Sequence, residues 1–121
     1  MRTVLYVEDN EVNRKIVRQL LSRTSYRLLE ATDGEAGVTL ARMERPDVIL
    51  MDVQLPQMSG LDATRMLPAD PLTAAIPLIV VTSFALSGDG ERAMDAGASA
   101  YVAKPYSPRH LLEMIRRFAP E

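Results

Sequence analysis

The sequence DVILMD, at residues 47–52, decides the fold class because it joins an unbroken apolar run to a carboxylate. Consecutive apolar residues without polar alternation are typical of a strand that is covered on both faces, as strands in parallel sheets are. Four further segments are strand candidates: TVLYV at 3–7, RLLEA at 27–31, LIVV at 78–81 and AYVA at 100–103. The sequence therefore predicts five strands, the third and fourth ending at Asp52 and Thr82.

Helical patterns separate these strands. A stripe of apolar residues at helical spacing predicts the first helix, and it consists of Val12, Ile16, Leu20 and Leu21. A capping box from Thr32 to Glu35 predicts the start of the second helix. Because the residue before a proline disfavours helical backbone, Pro46 should end this helix near Glu44.

The remaining three helices also carry start or stop signals. Ser59 should cap the third helix, which Pro68 limits. The fourth should follow residues 87–90 and end near Gly97, a good left-handed cap. Ser107 followed by a proline predicts the start of the last helix. The apolar stripe of that helix consists of Leu111, Leu112, Ile115 and Phe118.

The alternation of strands and helices predicts an α/β fold. Parallel strands joined by right-handed helical crossovers place helices on both faces of one sheet. We expect residues 1–121 to form a single domain, because the chain has an ordinary domain length and contains no repeat or linker.

Charged and hydroxyl side chains follow four of the strands, where the carboxyl ends of a parallel sheet meet. These are Glu8 and Asp9, then Asp52, Thr82 and Lys104. Open α/β sheets bind ligands at this edge. Because clustered carboxylates raise one another's pKa or require a cation, the arrangement indicates a Mg²⁺-assisted phosphoryl site.

The composition excludes several other classes of protein. The net charge of −2 gives no basic surface for nucleic acid. The absence of cysteine removes disulfides, zinc thiolates and thiol nucleophiles. No apolar run approaches the roughly 20 residues of a membrane span, and no signal peptide precedes the first strand. We therefore expect a cytoplasmic protein that binds neither nucleic acid nor membrane.

Five segments together resemble the receiver domain of two-component response regulators. In order, they are VEDN at 7–10, MDVQLP at 51–56, SGL at 59–61, VTS at 81–83 and YVAKP at 101–105. The resemblance covers the whole chain and is strongest to single-domain receivers of the DivK type, with receivers of hybrid histidine kinases as competitors. It implies a flavodoxin-like (βα)5 fold with strand order 2-1-3-4-5 and no output domain.

The resemblance also implies roles for the acidic residues. Asp52 would accept a phosphoryl group from a phosphohistidine, and Lys104 would contact the phosphoryl oxygens. Mg²⁺ would bind Asp9, Asp52 and the Gln54 carbonyl, with Glu8 acting through water. The protein would then be no ordinary enzyme, because it would catalyse only its own phosphorylation and dephosphorylation.

The family's switching residues match three positions. The Thr82 hydroxyl would move towards the phosphoryl group, Tyr101 would turn from exposed to buried, and a cis bond before Pro105 would aim Lys104 inward. Thr82 and Tyr101 also suit ordinary strand positions. Gln54 and Phe84 would tune the lifetime of the phosphoryl group, although Phe84 equally suits local packing.

The implied partners are a histidine kinase or histidine phosphotransfer protein and a downstream protein target. The surface of the fourth helix, fifth strand and last helix would signal, with a homodimer possible there. Arg14, Lys15 and Arg18 on the first helix would either meet the kinase or form a solvated face. A domain from a larger regulator and a phosphorylation-independent interaction module remain the alternatives. A dehalogenase-type phosphatase is disfavoured, because Gln54 stands where it needs an acid.

Overall fold

A computed structural model describes residues 2–83 and 88–121. Five strands and five helices alternate along the chain: β1 (Thr3–Val7), α1 (Glu11–Leu21), β2 (Arg27–Ala31), α2 (Gly34–Glu44), β3 (Val48–Asp52), α3 (Gly60–Ala69), β4 (Leu78–Thr82), α4 (Asp89–Asp95), β5 (Ala100–Ala103) and α5 (Pro108–Phe118). All four strand pairings are parallel, and the sheet order is β2-β1-β3-β4-β5. The predicted flavodoxin-like (βα)5 fold and its strand order are confirmed.

Two apolar cores lie on opposite faces of the sheet. Because side chains alternate along a strand, Leu5 and Val7 point into one core while Val4 and Tyr6 point into the other. Helices α2, α3 and α4 cover the first core, and α1 and α5 cover the second. Strands β1, β3 and β4 are buried almost throughout, as their apolar sequences predicted.

Helix α1 differs from the predicted stripe. Val17 and Leu21 face the core, while Val12 and Ile16 are 66% and 40% exposed. Residues four apart share a helix face, so Val17 and Leu21 form one apolar face and Val12 and Ile16 form another. The predicted helix is confirmed, but Val12 and Ile16 of its apolar stripe lie on the face that does not pack inward.

Two other helix boundaries also differ from prediction. The N-cap of α2 is Asp33, whose side chain accepts a hydrogen bond from the Ala36 amide, so the predicted capping box at Thr32 is wrong. Helix α3 continues past Pro68 to Ala69. Its proline lies in the last turn, where the ring costs a single helical hydrogen bond. The Ser107 cap of α5 is confirmed, since Ser107 accepts from the His110 amide.

Within the described part of the chain, no helix has the length and apolar character needed to cross a bilayer.

Candidate functional site

The polar residues that follow the strands meet at the carboxyl edge of the sheet. Lys104, directly after β5, places its Nζ atom 2.7 Å from Asp52 Oδ2 and 3.3 Å from Glu8 Oε1. Glu8 follows β1, and Asp52 ends β3. These contacts bring together residues that are up to 96 positions apart in sequence. The structure therefore assembles two of the predicted acids around the predicted lysine.

The carboxylate of Glu8 is almost completely buried, with 1% of the residue exposed. Its Oε1 atom accepts hydrogen bonds from Asn13 Nδ2 at 2.8 Å and from the Tyr6 hydroxyl at 3.3 Å. Burial raises the pKa of Glu8, and the neighbouring Asp52 raises it further, whereas Asn13 and Lys104 favour the charged form. Glu8 is thus a buried acid whose ionisation depends on nearby donors and cations.

Asp52 is held from both sides by main-chain contacts. Its Oδ1 atom accepts a hydrogen bond from the Gln54 amide at 3.0 Å. Gly60, which begins α3, packs so closely that a Cβ atom there would lie 1.8 Å from the Asp52 carbonyl oxygen. Only glycine allows this approach. The side chain of Asp52 is therefore fixed at the edge of the sheet, with the residue 2% exposed.

Lys104 retains its charge in this site. Burial lowers the pKa of Lys104, but hydrogen bonds and charge attraction from Asp52 and Glu8 outweigh that effect and raise it. The Lys104–Pro105 peptide bond is cis, as the family resemblance implied. The Lys104 amide also donates to the Thr82 carbonyl at 2.7 Å, which ties the ends of β4 and β5 together.

Two of the three proposed switch residues, Thr82 and Tyr101, lie against the first turn of α4. The Thr82 hydroxyl donates to Asp89 Oδ2 at 3.4 Å, and Thr82 is fully buried. Tyr101 is 43% exposed, and its ring lies 2.6 Å from where a Cβ atom of Gly90 would be. Phe84, the predicted tuning residue, lies outside the described residues. Gln54, the other one, is exposed beside the site.

The donor set fits a small hard cation. Glu8 and Asp52 lie against the single ammonium of Lys104, and the exposed Asp9 adjoins Glu8 in sequence, so a cation would balance the excess negative charge. In residues 2–83 and 88–121, no three acidic, histidine or cysteine side chains are grouped closely enough to enclose a metal by themselves. Mg²⁺ is suited to such an open site, because it usually keeps several waters and takes one or two carboxylates.

Three residues around the acids escaped sequence reasoning. Tyr6 suits an ordinary strand position, and no pattern in the sequence distinguishes Asn13. Arg14 was placed on a solvated or kinase-facing surface, but its side chain is only 13% exposed and contacts the carbonyl oxygens of Glu8 and Asp9. The available signal is that Asn13 and Arg14 lie in the first turn of the helix that follows the acidic pair.

Comparisons with known proteins identify the family of the chain. The family model of the response regulator receiver domain matches residues 4–116. The chain belongs to this family. The polar-differentiation response regulator DivK of Brucella anthropi is 43% identical over 117 residues, which cover 97% of this chain and 95% of that protein. The predicted resemblance to single-domain receivers of the DivK type is confirmed.

Solved receiver structures superpose closely on the chain. The receiver domain of sensor histidine kinase PA1611 from Pseudomonas aeruginosa PAO1, with a magnesium ion coordinated in its active-site cleft, has a TM-score of 0.90 and 37% identity, covering 97% of this chain and 96% of that one. The chemotaxis response regulator CheY4 of Vibrio cholerae has a TM-score of 0.90 and 27% identity, with 98% of both chains covered. Receiver domains are signalling modules that interact with histidine kinases or phosphotransfer proteins and with downstream targets.

Proposed function

We propose that this receiver takes a phosphoryl group onto Asp52 from a phosphohistidine donor, with Mg²⁺ as cofactor, and signals by changing a protein-binding surface. The observation that carries the proposal is the contact of Lys104 Nζ with both Asp52 and Glu8 at the carboxyl edge of the sheet. A buried carboxylate held beside a fixed ammonium has the charges that phosphoryl transfer to an acid requires.

Asp52 would supply the attacking oxygen. An O–P bond forms to Asp52 as the N–P bond of the phosphohistidine breaks, and the imidazole nitrogen keeps the electron pair of that bond. Lys104 lies where it can stay with the Asp52 side chain and contact the transferred group. Since such transfer depends mainly on positioning and charge neutralisation, the fixed placement of Asp52 by Gln54 and Gly60 supports this role.

Asp9, Asp52 and the Gln54 carbonyl would hold Mg²⁺, with Glu8 acting through water. When bound, the cation would neutralise negative charge between Asp52 and the incoming phosphoryl group. Asp9 is exposed beside the buried pair, so it remains accessible to a hydrated ion. The buried Glu8 would share hydrogen bonds with Lys104 and Asn13 and thereby keep the ammonium beside Asp52.

The donor would approach over α1. The exposed Val12 and Ile16 form an apolar face there, and a groove of about 560 Å³ runs from Ile16 past Tyr106 to Lys104. Exposed apolar patches of this kind mark sites of protein contact. This surface would accept the helices of a histidine kinase or phosphotransfer protein, and Lys15 would lie at its edge.

Output would depend on the region around α4. Thr82 would leave Asp89 for the phosphoryl oxygens, and Tyr101 would turn inward as α4 shifts, since both residues contact the first turn of that helix. The α4-β5-α5 surface would then bind a downstream protein or a second copy of the chain. A stand-alone receiver that relays a phosphoryl group and a receiver domain within a larger histidine kinase would share this chemistry.

Intact-protein mass after incubation with acetyl phosphate tests the proposal. The wild type should gain one phosphoryl group in Mg²⁺ and none in EDTA, and Asp52→Asn should gain none in either. Glu113→Gln, which changes an exposed acid on α5 away from the site, is the matched control and should be labelled like the wild type. Failure of the folded wild type to gain mass in Mg²⁺ would favour a phosphorylation-independent interaction module.

A further inference from the structure

Arg14 uses every nitrogen of its guanidinium to join three parts of the structure. Nη1 donates to the carbonyl oxygens of Glu8 and Asp9, each at 3.0 Å. Nη2 contacts the Glu11 carboxylate, and Nε lies 3.4 Å from Glu30 on β2. The planar, five-donor guanidinium can span such divergent acceptors, which a lysine ammonium reaches only as a single point. Arg14 therefore connects β2 and α1 to the main chain of the acidic pair.

Arg14 donates hydrogen bonds to the segment of residues 8–10, which we call the acidic turn. Its first amide, that of Glu8, donates to the Ala31 carbonyl of β2 at 2.9 Å. Its last residue, Asn10, caps α1 by accepting from the Asn13 amide at 3.0 Å. Arg14 takes the two carbonyl oxygens between these points. The acidic turn is thus held along its whole length, on the sheet side and on the helix side.

Arg18 provides a built-in comparison one helical turn later. It donates to Glu30 at 2.7 and 3.0 Å and approaches Glu11 at 3.5 Å, so it shares both acids with Arg14. Its side chain is 47% exposed, and its hydrogen bonds go to these acids. The two arginines carry the same charge in the same ion-pair cluster, but the contacts to the acidic turn come from Arg14.

The charge of Arg14 is balanced locally. Glu11 and Glu30 offset the two arginines, so the cluster as a whole is neutral at pH 7. Arg14 would therefore contribute to a cation site at Asp9 by fixing the position of the main chain, and not by its charge. If charge alone mattered, removing a positive group next to the site would tighten cation binding.

We propose that Arg14 is a positioning residue of the cation site, which fixes the acidic turn so that the Asp9 and Glu8 side chains are preorganised for Mg²⁺. The inference deepens the proposed function and rests on it. Groups that contact and orient the metal-binding residues, without contacting the metal themselves, often contribute tenfold or more to metal affinity. Positioning and charge predict opposite changes when Arg14 is replaced by a neutral residue, which makes the idea testable.

The test is Mg²⁺ titration by calorimetry on the wild type, Arg14→Gln, Arg14→Lys and the control Arg18→Gln. Arg14→Gln should bind Mg²⁺ roughly tenfold more weakly, at the lower end of such effects. The Mg²⁺ affinity of Arg14→Lys should lie between those of Arg14→Gln and the wild type, because a lysine ammonium can keep part of the contact. Arg18→Gln, which removes the same charge from the same cluster, should stay within about twofold of the wild type.

A metal-free readout separates this inference from the proposed function. In EDTA, the NMR amide signals of Asp9 and Asn10 should shift in Arg14→Gln and remain in place in Arg18→Gln. Circular dichroism and urea unfolding identify a variant that fails to fold, in which case Arg14→Lys decides the result. Equal or tighter Mg²⁺ binding by folded Arg14→Gln would overturn the positioning role. A wild type that binds no Mg²⁺ would overturn the proposed function, and unchanged amide signals in Arg14→Gln would still overturn this inference.

Discussion

Helices α1 and α4 begin with the same local pattern, an acidic residue followed three positions later by an arginine. Glu11 pairs with Arg14 at the start of α1, and Asp89 pairs with Arg92, at 2.6 Å, at the start of α4. The Arg14 side chain is 13% exposed, whereas that of Arg92 is 58% exposed. One pattern therefore gives a tertiary anchor in α1, whereas in α4 the arginine is exposed and only its acid, Asp89, is buried.

The N-terminal caps of the two helices also make α1 the more firmly held of the two. Asn10 caps α1 with its side chain, but the N-cap of α4 is Gly88, at φ +90°, without a side-chain hydrogen bond. Helix α1 has eleven residues and α4 has seven. The strand end that carries the acids is thus fixed by its helix, while the strand end that carries Thr82 meets a short, weakly capped helix. This contrast suits the proposed function, in which the acids stay in place and the region around α4 moves.

Replacing Lys104 should have the largest effect on stability, because this ammonium balances the buried carboxylates of Glu8 and Asp52. Lys104→Met should lose about 2–4 kcal/mol of unfolding free energy at pH 7, as expected when one partner of a buried ion pair is removed. Urea unfolding in EDTA measures the loss. Lys15→Met, an exposed change on α1, should have no comparable effect.

The pH dependence of that loss has a definite sign. The pKa of Lys104 is raised, so its stabilising contribution is complete below the ordinary value of 10.5 and disappears as pH rises through its folded pKa. The pKa of Glu8 is also raised from its ordinary value of 4.5, so acidification neutralises Glu8 and relieves the unpaired charge in the variant. The difference between wild type and Lys104→Met should shrink from pH 7 to pH 5. A constant difference would contradict the electrostatic explanation.

Substitutions at two glycines test whether the region around β1 is packed more tightly than the region around α4. A Cβ atom at Gly37 would lie 2.6 Å from a methyl carbon of the buried Val7, and one at Gly90 would lie 2.6 Å from the ring of the exposed Tyr101. Gly37→Ala should lose about 1–2 kcal/mol, since overpacking outweighs the gain of about 1 kcal/mol in helix propensity. Gly90→Ala should change stability by less than about 0.5 kcal/mol, because the Tyr101 ring can swing away.

Thermal and urea unfolding compare the two glycine variants, and the near-ultraviolet dichroism of tyrosine reports the displaced Tyr101 ring. Equal losses in both variants would show that the region around α4 is as tightly packed as the region around β1.

The cap of α1 should have an intermediate effect. Asn10→Ala removes the acceptor of the Asn13 amide and should cost about 1 kcal/mol of unfolding free energy. Asn10→Ser, which supplies another capping oxygen, should recover most of that loss. If serine and alanine behave alike, the side-chain cap does not contribute to fixing the acidic turn.

Arg92 should give the smallest effect. The Arg92 side chain is 58% exposed, and the glutamine amide and the Thr82 hydroxyl can still donate to the buried Asp89, so Arg92→Gln should lose about 0.5 kcal/mol or less in urea unfolding. Arg14→Gln, which removes the arginine from the equivalent position of α1, should lose clearly more. A loss above about 1 kcal/mol in Arg92→Gln would mean that α4 is anchored as firmly as α1.

Sequence reasoning was most successful where one physical rule governs the outcome. Buried parallel strands require unbroken apolar runs, so β1, β3 and β4 were identifiable, and their shared direction placed Glu8, Asp52 and Lys104 at one edge. The side-chain contacts of Arg14 could not be predicted in this way. They depend on Glu30 of β2 and on carbonyl oxygens of the acidic turn, which local periodicity does not place near each other.

The differences in the helices have a similar cause. The apolar pattern of α1 does not say which of two faces meets the sheet, because Val12 and Ile16 are as apolar as Val17 and Leu21. At α2, both Thr32 and Asp33 can cap a helix, and the choice depends on where the preceding strand releases the chain. The third helix continues past Pro68 because the buried Leu67 packs in the core and keeps the last turn helical.

The close packing of Gly60 on the Asp52 carbonyl affects how a complete mutational survey of this protein would look. Any side chain at position 60 would displace the main chain of Asp52, so substitutions there should abolish labelling as thoroughly as loss of the acid itself. A survey scored by activity alone would class Gly60 with the reactive residues, although it has no side chain to contribute. Scoring abundance beside labelling would separate the two, because Gly60 variants should lose both and Asp52→Asn only the second.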